Sequence, residues 1–229
     1  MSFARKAPSI CYLQLRLFIS AATSTSGTVS VPGQDLNFPF TVTPGQIATI
    51  VLPQSVMVTT LDTVESKGIH ITAQNPVAVY GLNFVPAATD GFMALPTATL
   101  GTSYANLGYS NSSPPVGSLD IPNALGTEFG VTATQNNTTM TIIPSAKAGT
   151  RLARQAYTVA LNQGQTYQLR NNTDLNTYSN GTGPLVDLTG SIITADKPVA
   201  VFGGHDCAFV PNLSVYCNHL VEKLPPTNL

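Results

Sequence analysis

The chain has 229 residues, ten Lys or Arg against eleven Asp or Glu, a formal net charge of -1, and only 9% of its residues charged. That low charge beside 43% hydrophobic content excludes a disordered chain, and the lack of a basic excess argues against nucleic acid as a partner. Its 29 Thr, 18 Gly and 17 Pro favour short strands and turns over helices, and the length suffices for one or two domains with a real core.

Residues 12–20 read YLQLRLFIS, with Leu13, Leu15, Leu17 and Ile19 alternating with mostly polar neighbours. This is the pattern of a half-buried strand. Arg16 in its middle argues against a signal peptide, although Arg5 and Lys6 precede it. No run of 18 apolar residues occurs, so no membrane-spanning helix is expected.

The strongest signal along the chain is internal repetition. GIHITAQNPVAVYG (residues 68–81) and GSIITADKPVAVFG (190–203) agree at nine of fourteen positions at an offset of 122. FTVTPGQIATIVL (40–52) parallels YTVALNQGQTYQL (157–169) once two residues are inserted in the turn, and FISAATSTSGTVSVP (18–32) parallels GVTATQNNTTMTIIP (130–144) at an offset of 112. Each copy places hairpin turns at equivalent points, around Pro44-Gly45 and around Asn162-Gln163-Gly164. A period above 100 residues is too long for a solenoid or a propeller blade. The pattern predicts an all-β chain of two tandem, internally repeated antiparallel β-sandwich-like modules. The first spans residues 12–109 and the second 128–229, joined by a linker over 110–127, with the second copy ending before its full length. The apolar runs of residues 77–80 and 199–202 predict central strands covered on both faces.

Within residues 82–127, Thr89-Asp90-Gly91-Phe92 and a strand near 104–109 precede the loop SNSSPPVGS. The loop over 174–181 alternates oxygen-bearing side chains as a calcium loop does, but it has one carboxylate and no closing Glu, so a polar surface loop is the better reading. Glycosylation sequons occur at Asn111, Asn136, Asn137, Asn171, Asn180 and Asn212.

Candidate chemistry gathers near the end of the chain. Cys207 and Cys217 flank a turn-rich loop and can close it as a disulfide. His205-Asp206-Cys207 and Cys217-Asn218-His219 also supply two thiolates and two imidazoles, chemically a zinc set, but the spacing is not that of a finger. Cys11 is left over, and His70 sits in a strand between two isoleucines. No nucleophile elbow, phosphate loop, dinucleotide fingerprint or metalloprotease motif occurs, so no catalytic residue, metal site or cofactor is predicted. His205 and Asp206 are adjacent in a predicted strand, which should point them apart.

The stretches KGIHITAQNPVAVYGLN, TDGFMALPTATLGTSY, LTGSIITADKPVAVFGGHDCAFVPN and CNHLVEKLPP together resemble the IgGFc-binding protein N-terminal domain family over roughly residues 15–226. The resemblance places His205, Cys207, Cys217, His219, Leu220 and Glu222 on that family's closing pattern and supports a Cys207–Cys217 bridge. It implies a non-enzymatic adhesion or ligand-binding module, extracellular or at the cell surface, whose partners are proteins or glycoproteins such as immunoglobulin Fc or mucin. The residues before Tyr12 and the stop after Leu229 depart from the family pattern and suggest a fragment. His205, Asp206, Asn218, His219 and Glu222 are the predicted polar cluster around the bridge, a latch first and a ligand contact second. The alternative is a spacer that merely projects other domains.

Overall fold

The computed structural model describes residues 14–84, 89–109, 126–171, 187–208, 210–211 and 217–228. Sixteen strands are described, and among the described residues the helical structure is limited to three single-turn 3-10 segments. The first half supplies β1 (Gln14–Ser20), β2 (Thr25–Val31), β3 (Leu36–Val42), β4 (Ala48–Leu52), β5 (Val64–Glu65), β6 (His70–Ala73), β7 (Ala78–Phe84), β8 (Asp90–Ala94) and β9 (Ser103–Ala105). The second supplies β10 (Thr127–Ala133), β11 (Thr138–Ile143), β12 (Tyr157–Leu161), β13 (Thr166–Arg170), β14 (Ile192–Ala195), β15 (Val199–Ala208) and β16 (Asn218–Leu224).

The alternation expected of the first strand is present where β1 is described. Leu15, Leu17 and Ile19 are buried while the residues between them are half-exposed. Both predicted hairpin turns carry a glycine with positive φ, 78° at Gly45 and 76° at Gly164, a conformation that a side chain disfavours.

The strands form four antiparallel sheets, in the orders β4-β1-β7-β8, β3-β2-β6, β16-β15-β10-β13-β5 and β12-β11-β14-β9. One core lies between the first two sheets, where Leu17, Ile19 and Val79 meet Val29, Val31 and Phe40. A larger core lies between the other two, where Phe129, Val131 and Val201 meet Tyr104, Met140, Ile142 and Ile193. A small third core joins the halves through Val58, Phe92, Phe202 and Val221.

The ladders of the two halves correspond. Ile19 pairs with Val79 and Leu17 with Gly81, as Val131 pairs with Val201 and Phe129 with Gly203. All-β antiparallel structure is therefore correct, but the expected pair of separate sandwiches is not what the chain builds. The sheets are arranged in a propeller-like manner, each a short blade against the next. The reason lies in two strands that leave their own half: β5 adds to β13, and β9 adds to β14. In addition, β8 lies against β16, where the Val221 N–H donates to Asp90 Oδ2 at 2.8 Å and Lys223 Nζ to the Leu95 carbonyl at 2.7 Å.

The expectation that residues 77–80 and 199–202 are equally covered also needs correction. Both β7 and β15 are central in their sheets, but β7 is buried on one face only, whereas β15 is buried on both. Only β15 lies between two cores, with Val201 in the larger one and Phe202 in the small one between the halves. Most of the expected linker (residues 110–125), Cys11 and the calcium-like loop lie outside the described residues.

Candidate functional site

β15 is held in place by its pairing with β10 on one side and β16 on the other. Close packing there requires a glycine, because a Cβ at Gly203 would sit 2.1 Å from the Leu107 carbonyl oxygen. The β15–β16 register shifts between His205 and Ala208, and Cys207 falls within that irregularity. Cys207 and Cys217 are joined by a disulfide with their Cα atoms 5.0 Å apart, so neither thiol is available to a metal. Among the described residues no group of three or more His, Cys, Asp or Glu is arranged to hold a metal ion.

The register shift changes the expected geometry of His205 and Asp206. Instead of pointing apart, His205 Nδ1 and Asp206 Oδ1 approach to 3.5 Å. His205 is buried, and its Nδ1 accepts the Cys207 backbone N–H at 3.0 Å, which assigns the ring proton to Nε2. Burial, the largest cause, pushes its pKa down to about 4, reinforced by the nearby charges of His219 and Arg170 against the opposing pull of Asp187. The ring is therefore neutral at ordinary pH, and its contact with Asp206 is not an ion pair.

The charged partner of Asp206 is Arg170, with Nη1 3.3 Å from Oδ2, while Asp206 Oδ1 accepts the Gly126 N–H at 2.8 Å. Beside them lies Glu128, fully buried on β10 directly opposite Arg170 in the ladder. Its Oε2 accepts Gln168 Nε2 at 2.7 Å. Burial raises the Glu128 pKa well above the usual carboxylate range, and the negative charge of Asp206 raises it further. Burial thus favours the neutral form of Glu128, and Arg170 is the cation beside the two carboxyl groups. Its pairing with Asp206 avoids leaving an uncompensated charge in the interior.

β16 carries the rest of the predicted cluster and divides it. His219 is buried and accepts the Asn83 side-chain N–H at 2.9 Å, a bond from β16 to β7 of the other half. Asn218 and Glu222 face solvent. The predicted patch is therefore split into a buried part (His205, Asp206, His219) and an exposed part (Asn218, Glu222). The buried part uses its polar atoms to hold strands and halves together.

Three features escaped sequence reasoning. Arg151 donates from Nε to both oxygens of Asp62 at 2.9 and 2.8 Å, stacks over the Tyr157 ring at 4.0 Å, and joins a chain in which the Tyr167 hydroxyl donates to Asp62 at 2.6 Å. Burial pushes the Tyr157 hydroxyl up to about 12. The second feature is an open groove of about 730 Å³ beside β2, β3 and β6, lined by hydroxyl-bearing Ser26, Thr28, Thr41 and Thr72. The third is an apolar face on β4-β1-β7-β8, where Val51, Tyr80 and Met93 are 55%, 49% and 46% exposed. Tyr80 lies opposite Phe18 and Met93, and Arg16 lies opposite Val51, so these residues occupy one surface. The only sequence signal for it is that β1 and β7 carry large apolar residues at both parities.

The fold is one of short antiparallel sheets whose buried polar side chains largely bond internally, with Val51, Tyr80 and Met93 left in solvent on one outer face. The IgGFc binding protein family matches residues 90–229, and the chain belongs to that family. It is 30% identical to the human IgGFc-binding protein over 229 residues, covering 93% of this chain but only 4% of that much longer relative. No solved structure matches this chain.

Proposed function

We propose that this chain is a non-enzymatic binding module of a secreted or cell-surface protein, built by duplication of a sandwich-like unit, and that its partner is a protein or glycoprotein. Membership of the IgGFc-binding protein family carries the proposal. The name of the human relative makes immunoglobulin Fc the first partner to test; mucin glycoprotein, implied by the sequence resemblance, is the second. The outward face with Tyr80, Met93 and Val51, beside Arg16, is the proposed contact surface. Tyr, Met and Arg are the residue types enriched at protein interfaces. Asn218, exposed next to Cys217, and Glu222, exposed further along β16, belong to the polar surroundings of a latch region that keeps the halves aligned. No helix among the described residues is long and apolar enough to cross a membrane.

The test is surface-based binding of the whole chain to purified Fc and to mucin, repeated with the Tyr80→Ala/Met93→Ala double variant. Saturable binding that falls at least tenfold in a variant with unchanged circular dichroism is the expected result. Binding to neither partner favours the spacer reading, and undiminished binding by the double variant moves the contact to another face.

A further inference from the structure

The two halves end their smaller sheets differently. In the second half β14 is flanked by β11 and by β9, whereas in the first half β6, its counterpart at an offset of 122, is flanked by β2 alone. The missing neighbour leaves a definite set of groups uncovered. The Ala195 N–H donates to the Thr102 carbonyl at 2.8 Å, and Ile193 pairs with Tyr104. The corresponding residues on β6 are Ala73 and Ile71. Gln74 donates inward to Ser26 at 3.0 Å, so by the alternation of an antiparallel ladder Ile71 and Ala73 direct their N–H and C=O groups to the outer edge. Among the described residues no strand pairs with that edge.

Side chains report the same gap independently of the backbone. Tyr104 of β9 is buried, and its hydroxyl donates to the Val199 carbonyl at 2.6 Å. Beneath it Ile193 and Val199 are both 0% exposed. Their counterparts Ile71 and Val77 are only half-buried at the margin of the first core. The edge also lacks the usual protection. β3, on the opposite side of the same sheet, carries Pro39, but His70-Ile71-Thr72-Ala73 contains neither proline nor lysine.

We infer that the edge of β6 is an acceptor for an extended strand of the β9 type, supplied by another polypeptide segment. That segment lies antiparallel to β6 with an aromatic residue opposite Ile71, its ring over Ile71 and Val77, and main-chain bonds to Ile71 and Ala73. Strand addition of this kind takes affinity from the backbone and specificity from alternate side chains. It uses a sheet edge rather than the Tyr80 face, so it stands or falls separately from Fc or mucin binding.

The probe is a synthetic peptide with the sequence of residues 99–108, TLGTSYANLG, added to the intact chain, with amide hydrogen exchange as the readout. The amides of Ile71 and Ala73 are expected to exchange rapidly in the free protein and at least tenfold more slowly with saturating peptide. The peptide with Ser in place of its Tyr should lose that protection, as should the Ala73→Pro protein, which lacks the outward donor. Slow exchange of both amides before peptide is added, peptide binding that leaves them unprotected, or equal protection by the Ser peptide each overturns the proposal. Protection that rises with protein concentration alone overturns this occupant in favour of a second copy. The Ser-peptide comparison uses unaltered protein and remains decisive if Ala73→Pro fails to fold.

Discussion

Tyr80 and Phe202 occupy equivalent places in β7 and β15, yet one is 49% exposed and the other 6%. Phe202 meets Phe92 edge-to-face at 5.0 Å, in the small core between the halves. Tyr80 faces solvent beside Met93. The same ladder thus yields a surface in one half and an interior in the other. What differs is not the strand but what is laid over it: the second half's outer face is covered by elements of the first, and the first half's is left open. Similar local sequence fixes similar pairing, while burial follows from the order in which units are stacked.

The largest effect expected from this asymmetry is at Val201, 0% exposed and part of the main core. Val201→Asp should cost more than about 4 kcal/mol, because it places an unpaired carboxylate in the interior, and chemical denaturation should find no stable folded second half. Phe202→Ala is expected to cost about 3 kcal/mol, and Tyr80→Ala less than about 0.5 kcal/mol. Equal losses at the two positions would dissolve the distinction between covered and open faces.

Next comes the bridge, which has no partner in the first half, where Cys11 is the only cysteine. Replacing Cys207 and Cys217 by Ser should lower stability by about 2–3 kcal/mol, since the bond closes a loop across a sequence separation of 10. The thermal midpoint of the oxidised protein, compared with that of the double variant, checks this.

Much of the scaffold was legible because it is written in short-range pattern. The alternation of β1, the positive-φ glycines of two hairpins and the nine-position match between copies each depend on neighbouring residues. What was not legible depends on distant ones. β5 is two residues long, too short to show an alternation, and β9 is three. Their pairing with the other half spoils the expected separate sandwiches, and nothing local announces it. In the candidate site, the bridge and the buried histidines lay in the predicted segment. Glu128, Gln168 and Arg170 were missed because they look like ordinary polar positions of a half-exposed strand, whereas Glu128 and Gln168 are fully buried. His205 and Asp206 were predicted to point apart, and the register shift between His205 and Ala208 that brings them together has no clear sequence signal.

That buried polar group also sets the pH dependence, and its two members act in opposite directions. His205 has a folded pKa of about 4 against an ordinary 6.5, so between these values the unfolded chain binds more protons. Stability is fully present above about pH 6.5 and declines as the pH falls towards 4. Glu128 has its folded pKa raised above 4.5, so the folded chain holds the extra proton and stability declines as the pH rises above the ordinary carboxylate range. His205→Asn, which keeps an acceptor for the Cys207 N–H, should flatten the acid limb, and Glu128→Gln should flatten the other. Denaturation midpoints across pH 4 to 9 separate the two, and unchanged limbs in both variants would place the titrating groups elsewhere.

A smaller loss than that of the bridge is expected at the contact between Asp62 and Arg151, the one ion pair among the described residues that joins the two halves. Their side chains are 26% and 32% exposed, so solvent weakens the attraction and the pair resembles a surface bridge more than a buried one. Geometry favours it nonetheless, because the guanidinium reaches both carboxylate oxygens and Tyr167 adds a third bond. Asp62 also has a φ of 53°, a conformation asparagine tolerates well, so Asp62→Asn removes the charge without straining the backbone. The expected loss is about 1 kcal/mol. The Arg151→Gln change should add little once Asp62 is already Asn, because the two residues act on one bond. A double-mutant cycle in 0.1 M and 1 M salt reads this directly: coupling that shrinks at high salt identifies a screened ion pair between the halves, while full additivity would mean that apolar contacts such as Phe92–Phe202 hold them together without it.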